Sequence, residues 1–92
     1  SAASDVYKRQ HLMEFIYGSD TLKNFNDGKV TIKEVAAHFG KMLGIEIKDP
    51  SGCYVNMRER VQESRTTYID SMRDALLERM DKDDEKLYRR KK

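Results

Sequence analysis

The sequence predicts a mostly α-helical fold, a small domain of about four helices with a helix-turn-helix-like middle. Three observations carry this. Apolar residues recur at helical spacing in four separate stretches. Thr31 and Glu34 stand at the separation of a capping box. The segment Thr31 to Gly40 reads Thr-x-x-Glu-x-Ala-x-x-Phe-Gly, the pattern of the first helix of a helix-turn-helix. There, small Ala36 lets a second helix approach and Gly40 eases the turn.

The first helix is expected from about His11 to Leu22, on Leu12, Phe15, Ile16 and Leu22, with a weak point at Gly18-Ser19-Asp20. Asn24 to Gly28 is a turn, and Lys29-Val30 a short extended piece. The second helix is the clearest. Thr31 caps it, Ile32, Val35, Ala36, Phe39 and Leu43 form its apolar stripe, and Gly44 is its exit. Ile45 and Ile47 alternate with Glu46 and Lys48, which suggests a few extended residues. Pro50 opens a third helix, expected from about Ser51 or Cys53 to Gln62 and burying Tyr54, Met57 and Val61. Ser64, Thr66 or Thr67 caps the last helix, which is expected to reach about Met80 or beyond. Its buried seam is Tyr68, Met72, Leu76 and Met80, widened by Ile69 and Leu77. Residues 81–92 alternate acidic and basic blocks and are expected to fray.

Residues 1–10 are set apart. Asp5-Val6-Tyr7-Lys8-Arg9-Gln10 can be back-translated as GAT GTG TAT AAG AGA CAG, which resembles a transposase adapter end read through in frame. They are treated as adapter-derived, like a tag or fusion scar. The domain is then expected over residues 11–80, as the carboxyl end of a longer protein.

Charged residues make up 37% and apolar ones 38%, which suits one soluble domain with a thin core. No run approaches the ~18 apolar residues of a membrane span. Cys53 is the only cysteine, which excludes an internal disulfide and fits a reducing cytoplasm. Removing Lys8 and Arg9 with Asp5 takes the net charge from +2 to +1. Such a balance does not announce nucleic-acid binding by itself. The cations do change type: from Lys23 to Lys48 they are all lysine, and from Arg58 to Arg79 all arginine. Arginine is the side chain for bidentate contacts to phosphates and base edges.

Catalysis finds little support. His11 and His38 are the only histidines, Cys53 has no evident histidine partner, and no Cys/His cluster has metal spacing. The loop before the second helix superficially matches a calcium loop, with Gly28 sixth and Glu34 twelfth. Lys23 and Phe25 then stand where carboxylates are needed, so a turn followed by a capping box is the better reading. No cofactor and no metal are expected. The DNA-reading candidates lie further on. Asn56, Arg58 and Arg60 sit off the apolar side of the third helix, and Arg reads guanine edges while Asn reads adenine. At the last helix start, Arg65 and Thr66, with neighbouring hydroxyls and free amides, suit a phosphate. Solvated helix faces with paired charges explain the same residues equally well.

A family resemblance adds weight. Gly28 to Ala36, then Phe39, then Ile45-Glu46-Ile47 is similar to the carboxyl-terminal part of RteC-type proteins. So are Ser64 to Asp70 and Leu76-Leu77-Glu78-Arg79-Met80-Asp81, in the same order, covering about residues 12–85. RteC-type proteins are regulators associated with conjugative transposons. The resemblance implies activation of an excision operon by binding DNA upstream of its promoter. It also implies a helical parent with a winged-helix or helix-turn-helix-like unit at its carboxyl end.

The resulting expectation is a bacterial, cytoplasmic, non-enzymatic regulator of mobile-element excision and transfer genes, with double-stranded DNA as partner. A helix over about 51–62 would enter the major groove, with Asn56 and Arg58 nearest the bases and Arg65 and Thr66 on phosphates. The charged tail would add non-specific attraction. The competing expectation is a protein-interaction module in which the Met-rich last helix meets another subunit or the amino-terminal region. The orientation of Arg58, Arg60 and Arg65 separates the two. One exposed face free of carboxylates favours DNA; dispersal against Glu59, Glu63 and Asp70 favours interaction.

Overall fold

A computed structural model describes the backbone of residues 2–91 and the side chains of residues 6–90. Four helices follow one another: α1 (Ala2–Thr21), α2 (Ile32–Leu43), α3 (Pro50–Arg58) and α4 (Thr67–Lys91). A single 3-10 turn, Asn26–Gly28, lies between α1 and α2. No strand occurs among the described residues, so the expected extended pieces at 29–30 and 45–47 are loops and form no wing.

α1 is the hub, packed against α2, α3 and α4. It begins at Ala2 rather than near His11, because nothing from Ala2 to Tyr17 breaks a helix. Its Met13 and Ile16 are fully buried, and Leu12, Val35, Ala36 and Met57 complete the core. Phe15, Phe25 and Phe39 form an aromatic cluster beside it, with ring centroids 5.8 to 6.5 Å apart. Phe25 thus anchors the loop that superficially matched a calcium site. Among the described residues no group of His, Cys, Asp and Glu could hold a metal ion.

α2 forms as its sequence demands. The Thr31 hydroxyl accepts from the Glu34 amide at 3.1 Å and donates to Glu34 Oε1 at 3.1 Å. This closes the capping box through the side chains. Thr31→Ala is expected to cost about 1 kcal/mol, read as a lowered thermal midpoint. Gly44 ends the helix in the left-handed region at φ 70°. The chain then folds back so closely that a Cβ on Gly40 would collide with the Ile45 carbonyl oxygen. The end of the stripe departs from expectation, since Leu43 is exposed.

Asp49 caps α3 by accepting from the Gly52 amide at 3.0 Å, with Pro50 in the first turn. The helix stops at Arg58 rather than Gln62. Val61 is 91% exposed and Tyr54 partly exposed, so only Met57 of the expected apolar set is buried.

α4 departs furthest. It runs unbroken to Lys91, through residues expected to fray. No Gly or Pro interrupts it, and Lys82–Glu78 (2.9 Å) and Arg89–Glu85 (2.8 Å) pair one turn apart. Its expected seam is not a core: Met72, Leu76, Leu77 and Met80 are all exposed. Only Thr67, Tyr68 and Ile69 are half-buried, against α1. The helix therefore projects. The radius of gyration is 16.5 Å, against about 12 Å for a compact chain of this length.

Candidate nucleic-acid interface

The turn between α3 and α4 is organised by a carboxylate from α1. Glu14 is buried between Met13 and Phe15, its side chain fully enclosed. Its Oε1 accepts from the Tyr68 amide at 2.9 Å and the Ile69 amide at 3.3 Å. These amides belong to the first turn of α4, where backbone donors have no partner within the helix. Glu14 Oε2 accepts from Arg60 Nη1 at 3.0 Å. The same nitrogen donates to the Arg65 carbonyl at 3.0 Å, and Arg60 Nε lies 3.5 Å from Glu63 Oε1. One carboxylate thus caps α4 and neutralises Arg60. The stacked rings of His11 and Tyr68, with centroids 4.5 Å apart, add a second clasp between α1 and α4.

This arrangement removes two expected contacts. The Arg60 side chain is only 9% exposed and bound to Glu14, so it does not share a surface with Arg58. Thr66 is exposed, but its hydroxyl donates to Asp70 Oδ1 at 3.0 Å. Ser64 Oγ donates to Asp70 Oδ2 at 2.6 Å. These two hydroxyls hold the Asp70 carboxyl below its usual pKa, with Arg73 adding a smaller contribution. The expected phosphate seat at the start of α4 is therefore filled by the protein's own carboxylates, Asp70 on the hydroxyls and Glu14 on the amides.

Three expected residues remain available. Asn56 is exposed on α3. Arg58, at the end of α3, lies over the Tyr54 ring at 5.9 Å from its centroid. Tyr54 in turn stacks on Tyr17 of α1 at 4.4 Å. Arg65 approaches from the α3–α4 turn. Arg58 and Arg65 line one groove of about 240 Å³ together with Tyr17, Tyr54, Met57, Ile69, Thr66 and Glu14, whose carboxylate is taken up by Arg60 and the α4 amides. Neither arginine forms an ion pair with a carboxylate among the described residues. Asn56 and Arg58 stand in the last turn of α3, not at its amino end. Residues 44–49 separate α2 from α3, a longer connection than a helix-turn-helix turn. Cys53 is half-buried and burial pushes its thiol pKa up, which keeps it protonated near neutral pH.

Glu14 is the residue that sequence reasoning missed. Its signal was a lone carboxylate in the run Leu12-Met13-Glu14-Phe15-Ile16, where a buried charge demands a partner. Nothing local named Arg60 as that partner.

Fold and site define a small helical domain with an arginine-lined groove and a projecting last helix. A family described as RteC protein matches residues 7–84, and the chain belongs to the RteC family. The match begins at Tyr7, inside the stretch that resembles adapter sequence. No curated protein matches the chain. No solved structure matches it. No helix among the described residues is long and apolar enough to cross a membrane.

Proposed function

We propose that this chain is the DNA-binding part of a non-catalytic transcriptional regulator. It would act in the bacterial cytoplasm on excision and transfer genes of a conjugative transposon. The observation that carries the reading is the placement of Arg58 and Arg65. Two guanidiniums from separate elements line one groove, neither of them in an ion pair with a carboxylate among the described residues, with Asn56 exposed elsewhere on α3. Planar forks of this kind suit phosphate oxygens and guanine edges. Membership of the RteC family supports the same assignment. Arg58 and Asn56 take the base-edge role, and Arg65 takes a phosphate. The basic end of α4 adds salt-sensitive attraction.

The test is binding to short labelled duplexes at several salt concentrations. Arg58→Ala and Arg65→Ala are each expected to weaken binding. Loss of a phosphate contact by Arg65→Ala should lower the salt slope by about one. Unchanged affinity in both variants at fixed salt would refute the assignment. The exposed apolar stripe of α4 favours an additional role in association.

A further inference from the structure

The face of α4 that nothing covers has a definite pattern. At ~100° per residue, Ile69, Leu76, Met80 and Leu87 fall within about 40° of one another around the helix. Met72 and Leu77 flank them. Ile69 is already packed against α1, its Cδ1 close to Gly18. Beyond it, Leu76 is 52% exposed, Met80 49% and Leu87 55%. A helix of 25 residues held only at its first turn keeps this apolar stripe in water.

Three charged residues interrupt the stripe: Arg73 near its start, and Asp83 and Asp84 near its end. Arg73 lies 3.5 Å from its neighbour Asp74, with both side chains about three-quarters exposed, and acts weakly on Asp70 one turn earlier. Asp83 and Asp84 enter no ion pair among the described residues. From the order of these charges we infer that α4 pairs antiparallel with α4 of a second copy of this chain, about a two-fold axis level with Glu78. In that register Leu76 lies opposite Met80 of the second copy. Arg73 then lies level with Asp83 and on the same flank of the seam as Asp84, one residue along, and the symmetry makes each contact twice. Glu78 points away from the seam, half a turn round the helix, so it does not meet its own mate. A parallel pairing sets Arg73 against Arg73 and Asp83 against Asp83. It also stacks the acidic block of residues 81–85 on itself, with like charges opposed along the seam. The apolar residues accept either direction; the charges select one.

The pairing does not rest on the DNA reading and is tested without DNA. Sedimentation equilibrium of the full chain, from about 1 to 100 µM, is expected to show a monomer–dimer equilibrium. Leu76→Asp should give a monomer that keeps the thermal midpoint of the core. Arg73→Glu should weaken the dimer about tenfold or more. Arg73→Glu combined with Asp83→Arg and Asp84→Arg should restore it, because the exchanged charges again meet across an antiparallel seam. A single-chain mass at every concentration would overturn the proposal and leave the stripe to a different partner. A charge-exchanged chain that stays monomeric would overturn the antiparallel arrangement.

Discussion

Glu14→Ala is expected to be the most damaging single substitution in this chain, costing about 3–5 kcal/mol. The loss has two parts. The Tyr68 and Ile69 amides lose the acceptor that caps α4, and Arg60 is left buried with only the exposed Glu63 carboxylate, 3.5 Å from its Nε, as counter-charge. The second part dominates, because a buried charge that loses its enclosed partner and keeps only a solvent-exposed one is costlier than a missing hydrogen bond. A small domain has only about 5–15 kcal/mol of stability in all, so the urea midpoint should fall steeply. Glu14→Gln keeps an acceptor for the amides and should cost less. Combining Glu14→Ala with Arg60→Met removes the orphaned charge and should recover part of the loss, a coupling that a double-mutant cycle measures. A Glu14→Ala chain within about 1 kcal/mol of the parent would show that the enclosed ion pair does not hold α4.

The second large effect is a contrast between two apolar residues that look alike in sequence. Ile16→Ala empties a fully buried position between α1 and its neighbours and should cost about 2–5 kcal/mol in transfer and cavity terms. Leu76→Ala, in a chain diluted to the monomer, should change the urea midpoint of the core very little, because Leu76 is already in water. Equal losses at the two sites would mean that α4 packs on the body of the domain rather than projecting from it.

These contrasts show which parts of the molecule were legible from the sequence. α2 was legible almost entirely. Its cap, its stripe through Phe39 and its glycine exit are all set by residues within a turn of one another. Three helix starts were near expectation, at Ile32, Pro50 and Thr67, because capping is equally local. The end of α3 was not. Arg60 turns inward to a carboxylate 46 positions earlier in the chain, and the residues around it leave the helix at Arg58. The candidate site followed the same division. Arg58, Asn56 and Arg65 were picked out by type and spacing, whereas the withdrawal of Arg60 and Thr66 from that set depends on Glu14 and Asp70.

By itself, the sequence determined a mostly helical chain, the starts of α2, α3 and α4, the identity of α2 as a packed helix and membership of the RteC family. Tertiary structure alone decided which charges are spent on holding the fold and which remain for a partner. It also decided that the apolar stripe of α4 is left uncovered. The physical reason is range. Capping, helix propensity and the 3.6-residue repeat act within a turn or two and are written in adjacent residues. Burial and ion pairing depend on what the chain brings near. A periodic stripe says that one face of a helix is apolar without saying what will cover it.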